Sequence, residues 1–293
     1  MKFEGSMVAL ITPFKNGKID EKSLRGLVRF QEDHGTDVLV PCGTTGESAT
    51  LSHEEHERVI EIVVDESRES KVLAGTGSNS THEAIRLTKH AAEVGCDGAL
   101  VITPYYNKPP QRGMAEHFRS LADAVEIDLI LYNVPSRTGI NLEASTVSEL
   151  SSVSNIVGVK EASGDINQVS EICVQTPSDF SVLSGDDALT LPILSVGGHG
   201  VVSVVANIIP DRVHELVWSW KKANPAKSRE IHQECFSLMR AMFLETNPIP
   251  LKFAASCMGL CENEVRSPLA PLGSPHQNQL MRYMKELELN VDE

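Results

Sequence analysis

No apolar run in this 293-residue chain approaches the length of a membrane span, which predicts a protein with no membrane-crossing helix. The apolar part of the stretch 1–14 is too short for a signal-peptide core, and patterned sequence follows at once, so a cytoplasmic location is expected. Basic runs are missing too: 26 Lys and Arg face 40 Asp and Glu, a formal net charge of −14. That balance argues against nucleic acid and anionic membrane as partners, although a few local cations can still hold an anionic substrate. The six cysteines (42, 96, 173, 235, 257 and 261) are dispersed, with no Cys-x-x-Cys pair and no His/Cys cluster at zinc spacing. A reduced protein without structural metal follows. Also absent is the Gly-x-Gly-x-x-Gly of a dinucleotide-binding turn: the first strand candidate runs into Thr12-Pro-Phe-Lys-Asn-Gly17.

What is present is a repeated alternation of short β-branched runs, turn-rich connections and longer amphipathic segments. Strand candidates fall at 6–13, 37–42, 71–76, 98–104, 128–134, 156–161, 180–184 and 200–205. Helix candidates lie between them at 20–34, 52–68, 80–95, 113–125, 142–153, 166–176, 187–197 and 210–223. Several open on a cap, as in Asp20-Glu-Lys-Ser, Ser52-His-Glu-Glu and Ser80-Thr-His-Glu, and several close on glycine at Gly35, Gly95 and Gly197. Eight strand-plus-helix units predict an α/β fold, a closed (β/α)8 TIM barrel, since a parallel sheet needs both faces covered and closure removes its edges. A doubly wound open sheet is the rival. From Pro225 the alternation stops and segments 225–244, 248–259 and 275–289 read as helical, separated by Asn247-Pro-Ile-Pro250 and a Pro/Gly-rich stretch at 267–275. The expected division is a catalytic barrel over 1–224 and a small C-terminal helical domain over 225–293.

Active sites of such barrels form where strands run into their following loops. Strand six ends in Val159-Lys160-Glu-Ala162 and strand five in Tyr132-Asn-Val-Pro-Ser-Arg137-Thr-Gly139. Consecutive strands pair about 5 Å apart, so a phenol stands beside an amine. Burial disfavours the ammonium form, making Lys160 a nucleophile for imine chemistry on a carbonyl substrate. Alternation along the strand sends Ile156, Gly158 and Lys160 into the barrel and Val157 and Val159 toward the helices, with Gly158 leaving room beneath the amine. On this feature alone, a lysine that caps the strand and reaches solvent fits equally well. Gly43-Thr44-Thr45-Gly46 offers hydroxyls and backbone N–H groups ahead of a helix N-terminus, suited to a carboxylate or simply to a tight turn.

Together, Gly43-Thr-Thr-Gly-Glu47, Thr103-Pro-Tyr-Tyr-Asn107, Tyr132 through Gly139, Val159-Lys-Glu-Ala162 and Gly185-Asp-Asp187 match in order and spacing. By these motifs the whole chain resembles the dihydrodipicolinate synthase family of pyruvate-dependent class I aldolases and lyases. The resemblance implies that Lys160 forms an imine with pyruvate and that Thr44, Tyr132 and Tyr106 form a hydroxyl relay, Tyr106 reaching into a neighbouring subunit's site. By itself Tyr106 also reads as a core aromatic. A phenol is too weakly acidic at neutral pH to act untuned, which gives Thr44 its purpose. Thr45 and the Thr44 backbone would hold the pyruvate carboxylate, with Gly185 and the Val202 carbonyl near the imine. Arg137 would grip the carboxylate of L-aspartate 4-semialdehyde bidentately, its bland alternative being a surface salt bridge.

The family likeness also implies feedback inhibition by L-lysine at a subunit interface through Ser48, Ala49, His53, His56, Asn79, Glu83 and Tyr105. Glu83 would meet the ligand's α-amino group, Asn79 and Tyr105 its carboxylate, and the two histidines its side-chain end. Read alone, His53 and His56 share one helix face that could equally be a solvated one, and their spacing is not that of a His-Glu-x-x-His zinc site. Ser163 and Val205 stand where the family commonly has other residues, without removing a group the reaction needs. The expected activity is a lyase that condenses pyruvate with L-aspartate 4-semialdehyde on the diaminopimelate route to L-lysine, with no metal or organic cofactor and as a homo-oligomer, a tetramer by resemblance. An aldolase for sialic, keto-deoxy or hydroxy-oxoglutarate substrates and a non-catalytic lysine-binding sensor are the alternatives.

Overall fold

The structure, a computed structural model, describes residues 3–291. Eight parallel strands close into one barrel in sequence order: β1 (Gly5–Ala9), β2 (Val38–Val40), β3 (Lys71–Gly75), β4 (Gly98–Ile102), β5 (Asp128–Asn133), β6 (Ile156–Glu161), β7 (Ser181–Ser184) and β8 (Gly200–Ser203). The seam closes as Gly5 pairs with Gly200 and Met7 with Val202. Strand alternation makes two apolar shells. Met7, Val38, Val40, Leu73, Leu100 and Leu183 fill the lumen, whereas Val8, Leu39, Val72, Val101, Leu131 and Val182 face the helices.

The covering helices are α1 (Glu21–Asp33), α2 (His53–Glu66), α3 (Thr81–Glu93), α4 (Gln111–Ala124), α5 (Ala144–Leu150), α6 (Ile166–Gln175), α7 (Thr190–Ser195) and α8 (Pro210–Lys221). Their starts follow the chain's capping chemistry. Asp20 accepts from the Ser23 N–H, Ser52 forms a full capping box with Glu55, and Ser80 accepts from the Glu83 N–H. Gly35 and Gly95 then turn the chain at φ of 81° and 93°, backbone that residues with a Cβ rarely adopt. The sequence alternation does not foresee a hairpin of Phe14–Lys15 with Lys18–Ile19, turned by Asn16 and Gly17 at positive φ.

One orientation differs from the sequence reading. The pairing of β5 with β6 slips between Leu129 and Ile130, opposite Ile156 and Gly158, so Val157 is the extra residue of a bulge. Ile156 therefore packs in the outer shell and Val157 against the lumen, the reverse of simple alternation. The lumen positions of Gly158 and Lys160 survive because the slip precedes them. Gly158 does not leave space: a Cβ there would stand 2.5 Å from the Ser181 carbonyl oxygen and 2.8 Å from Ile130 Cδ1, so neighbours already fill the site.

Beyond the barrel, α9 (Pro225–Ala241) packs along α8, and α10 (Ile249–Cys257) against α11 (Ser274–Glu286). Ile231, Leu238, Leu251, Ala254, Leu280 and Met284 join the same apolar cluster as the outer shell, so these helices share the barrel's core. A buried ion pair also ties α10 to the loop after β2: Lys252 Nζ lies 2.5 Å from Glu47 Oε1, with both side chains almost fully buried. Among the described residues no helix is long and apolar enough to cross a membrane.

Candidate active site

Lys160 sits on β6 with its Cα paired to that of Tyr132 on β5, and its Nζ stands 4.3 Å from the centre of the phenol ring. The residue is only 6% exposed, so its amine is not the solvated strand cap that sequence alone left open. Burial pulls its pKa down to about 8, with Asp187 opposing that shift and Arg137 adding to it. The end of β6 is held firmly: the buried Glu161 carboxylate accepts from Ser163 N, Asn133 Nδ2 and Gln168 Nε2. Gly185, just past the end of β7, is packed against Lys160 and Ala162 as closely as Gly158 is against β7, and only a residue without a side chain fits there. A Cβ there would come within 3.1 Å of Lys160 Cε and 2.6 Å of Ala162 Cβ.

The loop after β2 folds back on itself, with the Glu47 N–H donating to Thr44 O and Thr12 Oγ1 to Gly46 O. Cys42 and Glu47 lie at φ of 56° and 54°, a left-handed conformation uncommon for such residues, which presents both threonines to the strand ends. The Thr44 hydroxyl and the Tyr132 phenol line the same cavity wall, where the hydroxyl favours the phenolate. Burial raises the phenol's pKa, while Arg137 and Thr44 pull it back in part. Tyr132 is therefore protonated at neutral pH and suited to donating or relaying a proton.

Thr44, Thr45, Tyr132, Arg137, Lys160 and Gly185 line one cavity of about 640 Å³. Arg137 stands at its edge on a short helix, Pro135–Thr138, which the loop's sequence does not announce. The arrangement has a nucleophilic amine at the floor, hydroxyls to one side and a guanidinium above, so it can form an imine on a small keto acid and bind a second anion. Two predicted residues do not line this cavity in the single chain. The Val202 side chain is buried in the lumen cluster that also holds Tyr132, and Val204 is in the cavity lining. Tyr106 is 89% exposed at a φ of 71° and does not line this cavity.

A second cavity, about 580 Å³, is lined by Ser48, Ala49, His53, His56, Glu83 and Tyr105. It shares Thr44, Tyr132 and Arg137 with the first, so the two meet at a common wall. Glu83 accepts from the Ser78 hydroxyl and lies 2.8 Å from His53 Nε2; these contacts hold its carboxyl below the usual range. His56 is buried, with Nε2 2.8 Å from the Gly75 carbonyl oxygen. A carbonyl only accepts, so the ring proton is on Nε2, and burial favours the neutral ring. His56 Nδ1 is then a buried acceptor without a partner. Asn79 does not line this cavity; its carbonyl accepts from Asn107 Nδ2.

Two site residues have no role in the sequence reading. Asp187 is buried, and its Oδ2 accepts from the N–H groups of Val204 and Val205, both at 3.0 Å. Asn247 reaches the site from between α9 and α10. The sequence signal was there in both, since Asp187 closes the Gly185-Asp-Asp motif and Asn247 opens Asn-Pro-Ile-Pro, but the second reads only as a helix break.

Residues 2–287 match the model of the dihydrodipicolinate synthetase family. The chain is similar to the 4-hydroxy-tetrahydrodipicolinate synthase of Citrifermentans bemidjiense, with 54% identity over 98% of this chain and 99% of the relative. In three dimensions it is similar to dihydrodipicolinate synthase from Aquifex aeolicus, with a TM-score of 0.98 and 48% identity over 99% of this chain and 100% of that one. The enzyme from Cyanidioschyzon merolae with lysine bound is also similar, with a TM-score of 0.96 and 41% identity over 98% of this chain and 99% of that one.

Proposed function

The chain belongs to the dihydrodipicolinate synthetase family, and we propose that it uses an imine on Lys160 to condense pyruvate with L-aspartate 4-semialdehyde. It is a lyase of the diaminopimelate route to L-lysine, the activity its relatives carry. The names of those relatives favour neither a sugar-acid aldolase nor a lysine sensor. The observation that carries the mechanism is the buried amine of Lys160 over the Tyr132 ring at the floor of a cavity edged by Arg137.

In this reading the neutral Lys160 amine attacks C2 of pyruvate, and loss of water leaves an iminium. Loss of a C3 proton gives the enamine, whose C3 forms the new bond to the aldehyde carbon of the semialdehyde while the aldehyde oxygen takes up a proton. The second substrate's own amine then displaces Lys160 from C2, closing the ring and freeing the enzyme. Tyr132 and Thr44 relay these protons. Thr45 and the Thr44 backbone hold the pyruvate carboxylate, Gly185 and the Val202 carbonyl border the imine, and Arg137 receives the carboxylate of L-aspartate 4-semialdehyde.

Tyr106 completes the relay from a neighbouring subunit, and its near-complete exposure in the single chain supports that role. The assembly in this reading is a homotetramer in the cytoplasm. L-lysine binds the second cavity as a feedback inhibitor. There the Glu83 carboxylate suits an α-ammonium and the unpartnered His56 Nδ1 suits a side-chain ammonium, with Asn79 and Tyr105 assigned to the ligand's carboxylate. Coupled turnover of pyruvate plus L-aspartate 4-semialdehyde, with and without L-lysine, tests the assignment. Turnover that L-lysine suppresses is expected, and no turnover would refute it.

A further inference from the structure

Asn247 touches both of the groups assigned to substrate carboxylates, and it comes from outside the barrel. Its Nδ2 donates to Thr45 Oγ1 at 3.0 Å, and its backbone carbonyl accepts from Arg137 Nη2 at 3.1 Å. The residue is 5% exposed, lines both cavities, and has a buried Oδ1 without a partner. An amide nitrogen only donates, so it occupies a lone pair of the Thr45 hydroxyl. The hydroxyl's own proton is left for the cavity, where Thr45 makes no other side-chain hydrogen bond to the described residues.

We propose that Asn247 is a positioning residue of the condensation: its side-chain amide holds Thr45 as a hydrogen-bond donor to the pyruvate carboxylate, and its backbone carbonyl aims Arg137 at the second substrate. This rests on Thr45 serving the pyruvate carboxylate. The physical advantage is directional. A threonine hydroxyl can rotate to donate either way, and a substrate carboxylate can only accept, so a neighbour that can only donate fixes the useful direction before substrate arrives. The arrangement also gives the C-terminal helices a part in both substrate sites.

Steady-state kinetics of the full-length enzyme separate the two halves of Asn247. Asn247→Ala removes the amide and keeps the carbonyl, so KM for pyruvate rises about fivefold, the size of one neutral hydrogen bond, while KM for the semialdehyde stays within twofold. Asn247→Asp keeps the shape but can only accept, so it draws the Thr45 proton away from substrate and raises KM for pyruvate tenfold or more. In a Thr45→Val background, Asn247→Ala adds no further loss, as expected for residues acting through one contact. Thermal melts accompany each variant, and Asn247→Asp carries the prediction if the alanine form does not fold. Raised pyruvate KM in Thr45→Val but not in the Asn247 variants would overturn the inference, as would equal rises for both substrates or additive losses. Unchanged pyruvate KM in Thr45→Val would overturn the underlying reading as well.

Discussion

Lys160 Nζ stands 4.3 Å from the centre of the Tyr132 ring, on neighbouring strands whose Cα atoms pair at these two residues. The pairing matters because each side chain changes what the other can do. A ring face favours a cation, but burial outweighs that attraction and brings the amine's pKa down to about 8. The same burial keeps the phenol protonated. The pair is thus a nucleophile next to a proton donor.

The lowered pKa fixes the direction of the pH dependence. Below about 8 the ammonium dominates and imine formation slows about tenfold per pH unit; above it, the neutral amine dominates and the rate levels off. Asp187 favours the ammonium, so Asp187→Asn is expected to move this limb to lower pH. Single-turnover imine formation from pyruvate, followed across pH for both proteins, checks this. A limb displaced to higher pH in Asp187→Asn would contradict the electrostatics.

Arg137 is half of a specificity argument that kinetics can isolate. Its guanidinium edges the cavity and is steadied by the Asn247 carbonyl. Arg137→Ala is expected to raise KM for L-aspartate 4-semialdehyde roughly ten- to a hundredfold, the range of about 1.5–3 kcal/mol for a charged hydrogen bond, and to change pyruvate binding far less. Equal losses for both substrates would show that Arg137 does not discriminate between them.

Glu83 offers the clearest test of the second cavity. It is the carboxylate there that no Lys or Arg among the described residues ion-pairs, held by Ser78 and His53, whereas Glu47 in the same lining is paired with Lys252. Glu83→Gln keeps the size and removes the charge, so the L-lysine concentration for half inhibition is expected to rise about tenfold or more, read as the ratio of rates with and without lysine. An unchanged inhibition curve would move the lysine site elsewhere.

The Lys252–Glu47 pair predicts a stability effect at the loop that carries Thr44 and Thr45. Both side chains are almost fully buried, and Lys252 Nζ also donates to the Glu264 carbonyl and lies 4.0 Å from the centre of the Phe14 ring. Lys252→Met strands the Glu47 carboxylate, with an expected cost of about 3–5 kcal/mol. The double variant with Glu47→Gln recovers much of that. Urea unfolding of the three proteins measures both values, and a single variant no less stable than the double would contradict the account.

Barrel and strand order are legible in the sequence because they follow from local signals, whereas the site roles beyond the Lys160–Tyr132 pairing come from the family resemblance. The run 156–161 reads as a strand, and Lys160 falls at its end by simple counting. The bulge at Val157 is not legible, since alternation carries no sign of where a neighbouring strand skips a residue. Asn247 escapes for another reason: its partners Thr45 and Arg137 lie 202 and 110 residues away, and Asn-Pro-Ile-Pro looks like any helix break. Glu47 and Lys252 are likewise ordinary charges until the fold buries them together. Tyr106 shows the opposite case, a motif residue that the single chain leaves in solvent.

The central claim is that Lys160 carries pyruvate as an imine. Borohydride reduction of the enzyme in the presence of pyruvate, followed by peptide mass spectrometry, tests it most directly. One reduced pyruvate adduct per chain on Lys160, lost in Lys160→Ala, is the predicted result; labelling at another lysine, or none with active enzyme, would contradict it.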